Sequence, residues 1–484
     1  MKTKIMIGWD IQDITPDKPV ELIGQYYQRI SKSVRDPLAV TALAIDSGTA
    51  QSVMVSMDIL YVAKDFLDEV REAIRTLVPD LDPEMIFLNA THIHSAPAWF
   101  VPFRWWSPAT QAMQPAEIRS FLLKRTVKAV ENAWKARKPG GVSSANACAV
   151  TGFCRRTLYA DGQAKMYGET NRDDFTGVEA SNDHVARMLF TWDDQNRLTG
   201  VIVNVACPSQ VMEAQYVVSA DFFGELRKRI RAAYGDQVYM LAQVSAGGDQ
   251  SPRNLPAQSK DEINYWNESG VLAIGQRLEK AVAEGYAAAR NRIECAPVFQ
   301  HTVTDIELPI RRAGAEEYKA ACAEVKRLTA GYPDFLTASR TLFAEFVKDT
   351  HDGEKRQPHG PFDNKDLDFV QLENAQAVVT RFEEQNSLPP FSMELHAVRL
   401  GECAFVTNPF ELYLDYGQAI IAQSRAKQTF VVQLACDTGR YLPTTRAAAA
   451  GGYGALIING SVGPEGGRIL TDASVKAIEQ LWKE

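Results

Sequence analysis

The run NATHIHSAPAW, residues 89–99, decides how the rest of the chain is read. The apolar stretch 85–88 feeds into it, and Ser95, Ala96 and Pro97 close it, which predicts a strand leaving a sheet at His92 and His94. Residues two apart in an extended chain point to the same face, so both imidazoles are expected over one cleft. Such a pair serves a metal, or divides into one ligand and one proton-transfer group. Two hydrogen-bonded histidines closing a strand end account for the motif equally well, and further ligands are needed to decide.

Working outward, strands and helices alternate along the whole chain. Residues 38–45 and 53–60 are β-rich and separated by Asp46, Ser47 and Gly48, a paired-strand signal. Apolar residues at helical spacing (Phe66, Leu67, Val70, Ile74, Leu77) predict a helix over 66–77 that leads into the strand before His92. Further on, 187–192 and 201–206 read as paired strands, 222–234 as a helix, 238–244 as a strand and 271–289 as a long helix. Paired strands are expected over 395–407 and a helix over 412–422. Polar, helix-prone material fills 314–384, with a loop at 351–363 inside it. No sequence repeat or linker marks a boundary, so one α/β unit over 1–484 with a helical excursion is the expected fold.

The bulk numbers set function classes aside. With 484 residues, 45% of them hydrophobic, the chain has ample material for a large core. A net charge of -8 and a pI near 5.6 argue against a nucleic-acid binder, because phosphate recognition needs a basic surface, so no nucleic-acid partner is expected. No run reaches the eighteen or so apolar residues of a membrane span, and the start MKTKIMIGWD lacks a signal-peptide core. The seven cysteines are scattered, odd in number and without a CxxC. That pattern favours free thiols in a cytoplasmic setting, or a secreted or periplasmic one if a leader was removed.

Four more stretches carry chemistry. In 203–225, an apolar strand stops at Cys207-Pro208, where a thiol is either a ligand or nucleophile, or a buried inert cysteine. In 244–254 (VSAGGDQSPRN), two glycines, Asp249 and Ser251 follow a strand, and the loop is either an amide-lined ligand cradle or an ordinary turn. In 408–417, Glu411 falls at a strand-to-helix junction, as a functional carboxylate or as plain helix-dipole capping. In 438–455, Tyr441 and Tyr453 flank a Pro/Gly-bracketed segment, lining a cleft or sitting half-exposed at the surface.

Taken in order, these stretches resemble the neutral ceramidases, zinc amidases that hydrolyse the N-acyl bond of ceramide. The resemblance runs through GWDI (8–11), ITP (14–16), SMD (56–58), ATHIHSAP (90–97), SADFFG (219–224), GDQSP (248–252), 408–411 and 441–453, nearly the whole chain. It implies a single ceramidase-like catalytic domain with zinc as cofactor, ligated by His92, Glu411 and Tyr441. The second ligating histidine of the family falls on Cys207, itself a competent zinc donor. An arrangement of three protein ligands with Cys207 beside the metal is the alternative. The resemblance further implies His94 as a proton-transfer or substrate-contacting base, Ser251 as the catalytic serine and Tyr453 as a substrate or oxyanion contact. The arginine of the family falls on Arg155, or on Arg156 after a one-residue shift.

The departures bear on substrate. Neither the secretion signal nor the C-terminal immunoglobulin-like domain usual in members acting on ceramide is expected from these 484 residues, and Gly454 stands where a glutamate usually follows the tyrosine. The reading is therefore a zinc-dependent hydrolase of an amide in a small-molecule, lipid-derived or glycan-derived substrate. An esterase, a hydrolase of a carbohydrate derivative and a non-catalytic relative are the alternatives. Oligomeric state is not readable from the sequence.

Overall fold

Hydrophobic alternation and turn chemistry produce the same pattern three times in succession. Each repeat has three antiparallel strands, a crossover helix, a fourth strand parallel to the third, and then a long helix. The computed structural model describes residues 4–25, 28–100, 109–260, 263–350 and 367–483. In the first repeat the strands are Ile5–Asp13, Ala39–Asp46, Gln51–Met57 and Ile86–Ala90, with crossover helix Lys64–Leu77 and long helix Pro115–Lys135. The second has strands Lys138–Cys148, Val185–Asp193, Leu198–Val205 and Tyr239–Val244, and helices Asp221–Tyr234 and Glu268–Ala289. The third has strands Phe299–Leu308, Phe391–Leu400, Cys403–Thr407 and Gln428–Val432, and helices Leu414–Gln423 and Pro464–Leu481.

The first two repeats join edge to edge through Ile5–Ile7 and Lys138–Gly140 into one eight-stranded sheet, and the third forms a four-stranded sheet. In every repeat the long helix packs on the first two strands and against its own crossover helix. The helices are built for this: Lys64–Leu77 turns Phe66, Leu67, Val70 and Ile74 inward at helical spacing, while Pro115, whose missing N–H costs nothing there, opens the helix after residue 114.

The large sheet curls until its ends approach. Ser56 Oγ and Asn89 Nδ2, from one end, both donate to the carbonyl of Ala242 at the other, at 2.7 and 3.1 Å. The third repeat is fastened beside them by Asn204 Nδ2 to Val431 O at 2.9 Å and by the backbone bonds Gln433 N to Val244 O and Ala90 N to Leu434 O. These buried polar groups would each cost on the order of 1–3 kcal/mol unpaired, so they fix how the repeats dock. As a result the carboxyl ends of three parallel strand pairs meet in one place, where open α/β sheets place their ligands.

The long insertions lie between first and second strands. In the third repeat the insertion is the expected excursion, helices Ala315–Leu328, Phe335–Thr350 and Asp368–Glu384, with a small core around Leu342, Phe346, Phe369 and Leu372. The loop expected at 351–363 lies outside the described residues.

Candidate active site

His92 and His94 leave the end of strand Ile86–Ala90, as the sequence implies, but not in an extended chain. His92 has φ +60°, a left-handed conformation that only surrounding structure sustains in a non-glycine residue. The turn brings the two rings together edge to face, with their Nε2 atoms 3.3 Å apart. His92 Nδ1 donates to Leu60 O at 2.8 Å, which fixes the tautomer and leaves Nε2 as an acceptor. That acceptor faces Glu411 Oε2 at 3.3 Å.

Glu411 is the middle residue of the short strand Phe410–Leu412, paired in parallel with Arg440–Leu442, and so lies beside Tyr441. The strand approaches the loop after Val244 very closely: a Cβ on Gly248 would sit 2.2 Å from Glu411 O. The glycines there serve this approach, because the loop amides face protein, Gly247 N to Gln433 Oε1 and Gly248 N to Leu412 O, rather than a ligand cradle. Burial alone would push the Glu411 carboxyl up, but His92, Arg155 and a hydrogen bond from Tyr441 together hold it below its ordinary value. Burial and the Glu411 charge push the Tyr441 phenol well up. Tyr453 packs edge-on to Tyr441, ring centroids 5.7 Å apart.

Arg155, not Arg156, reaches this group. Its Nη2 donates to Tyr441 Oη at 3.0 Å and to Gly248 O at 2.9 Å, and lies 3.8 Å from Glu411. Arg156 is committed elsewhere, to Glu179 at 2.7 Å and to the carbonyls of Ala447 and Gly451.

Two expected members stand apart. The Cys207 thiol is fully buried in the core of the second repeat and donates to Thr151 O at 3.2 Å, while burial pushes its pKa well up. Among the described residues, only Glu394, His396 and Cys436 bring three His, Cys, Asp or Glu donor atoms within 4.8 Å of one another, so Cys207 does not join His92 and Glu411. The strand exit that would aim it at the ion instead aims it at the backbone of the neighbouring insertion. Ser251 is buried in the two-residue strand Gln250–Ser251, and its Oγ accepts the Arg253 N–H at 3.2 Å.

Other residues arrive unannounced by the sequence. Glu213 Oε2 lies 3.1 Å from His94 Nδ1, and Glu213 Oε1 pairs with Arg253 Nη1 at 2.7 Å. Gln210 accepts from Arg155, and the Tyr167 hydroxyl receives both Arg155 and Arg253. Tyr61 flanks Glu411 closely enough to feel its charge. Glu213 and Gln210 fall inside the stretch 203–225, yet nothing in their spacing announces partners forty or more positions away.

The donor set fits a cation. His92 Nε2 and Glu411 Oε2 face each other at 3.3 Å, a contact that either a proton on the imidazole or a bound ion satisfies. That spacing also matches the edge of a tetrahedron around an ion with bonds of about 2.0 Å, about 3.3 Å.

Comparison with solved structures follows this geometry. A neutral ceramidase from Pseudomonas aeruginosa superimposes with a TM-score of 0.68 at 17% identity, over 99% of this chain and 75% of that one. The chain has the neutral ceramidase fold. A structure described as ceramidase complexed with C2 superimposes with a TM-score of 0.67 at 16% identity, again over 99% of this chain and 75% of the other. In sequence, no family model and no curated protein matches. Among the described residues, no helix is long and apolar enough to cross a membrane.

Proposed function

We propose that the chain is a zinc-dependent hydrolase that cleaves an amide, an N-acyl bond, in a small-molecule, lipid-derived or glycan-derived substrate. The observation that carries this reading is the pair of facing acceptors His92 Nε2 and Glu411 Oε2, 3.3 Å apart where the three repeats meet. His92, Glu411 and Tyr441 would hold the ion, three protein ligands and one open position, the usual number for catalytic zinc. When bound, the ion supplies a Lewis acid for the substrate carbonyl and lowers the pKa of a coordinated water.

The remaining residues act on protons and charge. His94, buried beside His92, takes and returns the proton, in keeping with an imidazole that burial keeps neutral. Arg155 anchors the Tyr441 hydroxyl and places a fixed positive charge beside developing oxyanion charge, with Tyr453 on the same wall. Ser251 receives no nucleophilic role, because its hydroxyl is buried and faces its own chain. All seven cysteines are free, and we assign the chain to a reducing compartment, the cytoplasm.

Metal analysis and chelation test the reading. About one zinc per chain is expected, with hydrolysis of an N-acyl p-nitroanilide lost on dialysis against a chelator and restored by zinc. Full activity in the metal-free protein would overturn it. Turnover of p-nitrophenyl acetate but not of the anilide would move the assignment to an esterase.

A further inference from the structure

His94 is held on every side. Its carbonyl accepts Arg29 Nη2 at 2.6 Å, and Gly24, with φ +102°, lies so close that a Cβ there would sit 2.6 Å from the imidazole Cγ. Its Nε2 faces His92, and its Nδ1 faces Glu213 at 3.1 Å, with the carboxylate somewhat off the axis of the ring N–H. Glu213 is itself immobilised. Its second oxygen pairs with Arg253, a fully buried guanidinium that lies flat over the Trp266 ring at 3.2 Å and donates through Nη2 to Gln210 O at 3.0 Å. A buried carboxylate needs compensation by charge and hydrogen bonds, and here Arg253 in direct contact, the His94 edge and the nearby Arg155 charge supply it.

We propose that Glu213 is a positioning residue for His94, with Arg253 fixing Glu213, so that Nδ1 carries the proton and Nε2 is presented as the base. The carboxylate then bears on the ring edge opposite the reacting centre, as an acidic residue sets tautomer and ring orientation in hydrolytic triads. Glu213 touches no substrate in this scheme and acts only through His94. The inference rests on the reading of His94 as the proton-transfer group.

A double-mutant cycle tests it on the zinc-loaded protein, with the N-acyl p-nitroanilide as probe. Glu213→Gln keeps an acceptor for Arg253 and should lower kcat by about 10²–10⁴-fold, with KM and zinc content unchanged. Glu213→Asp keeps the charge but withdraws it by one methylene, and should fall between parent and Glu213→Gln. In a His94→Ala background, Glu213→Gln should cost nothing further. A second readout needs no substrate: two-bond proton–nitrogen spectra of protein carrying labelled histidine should give His94 as the Nδ1–H tautomer, and Glu213→Gln should shift its ring nitrogens. Full additivity of the two substitutions, or unchanged His94 nitrogens in Glu213→Gln, would overturn the proposal. An active His94→Ala would instead remove the base reading beneath it.

Discussion

Among the described residues there are two buried histidine clusters, and only one of them reads as a centre for chemistry. Glu394, His396 and Cys436 sit at the seam between the first and third repeats, with donor atoms closer together than those around His92. Yet every charge in that seam is already answered. Glu394 pairs with Arg71 at 2.8 Å and Lys64 at 3.2 Å. A continuous chain runs from Arg71 Nη2 to His396 Nε2, from His396 Nδ1 to His301 Nε2, and from His301 Nδ1 to Gln51 O. Burial and the Glu394 charge push the Cys436 thiol up to about 12, so it stays protonated. At the other cluster, two acceptors face each other and the nearest fixed cation, Arg155, is 3.8 Å from Glu411. The difference teaches that unbalanced charge, more than crowding of donor types, marks a place for an ion.

The largest effect expected from this contrast is on metal content. His92→Ala and Glu411→Ala should each lose zinc and at least 10³-fold of activity, whereas His396→Ala and Cys436→Ser should keep the parent zinc content. Emission spectrometry of the four purified variants decides it, and the reverse pattern would transfer the centre to the seam. Next in size is the cost of breaking the seam: Arg71→Met strands Glu394 and His396 and should destabilise by about 3–5 kcal/mol in denaturant titration, with zinc retained.

The seam should also be acid-sensitive. Burial, with His396 and Arg71 nearby, lowers His301 to about 3, and burial lowers His396 as well. A histidine whose folded pKa lies below its unfolded value binds fewer protons folded, so its contribution is intact above about pH 6.5 and is lost as pH falls. Each such histidine should remove up to about 1.4 kcal/mol per pH unit below that point, visible as a falling unfolding midpoint between pH 7 and 5. In His301→Phe that slope should shrink. The smallest change belongs to Cys207→Ala, expected to cost about 1–2 kcal/mol from a lost core contact while zinc and turnover stay as in the parent. Loss of zinc there would restore the thiolate to the ligand set.

What the sequence revealed and what it concealed divide along sequence distance. His92, His94, Glu411 and Tyr441 stand in short motifs at strand exits, where local chemistry and position agree, and the structure brings all four together. Cys207 follows the third strand of the second repeat, as Glu411 follows that of the third, but side-chain direction there depends on packing against Thr151, which no local pattern encodes. Glu213 escaped notice because its contact with His94 is set by docking across repeats, and Arg253 because its partner Glu213 lies forty positions away in an irregular loop. The threefold repeat was hidden for a related reason. The insertions between first and second strands span residues 14–38, 149–184 and 309–390, and such unequal lengths erase any period.

That repeat has a consequence for assembly. His92 and His94 come from the first repeat, Arg155 and Glu213 from the second, Glu411 and Tyr441 from the third. The proposed ligands are split between the first and third repeats, so an ion can bind tightly only after those two have docked, and its binding free energy favours their association rather than the folding of either one. At a thousandfold excess over its dissociation constant that linkage is about 4 kcal/mol. Zinc would thus act as a clasp, and a chain nicked in an insertion loop should hold together or fall apart according to how much free metal surrounds it.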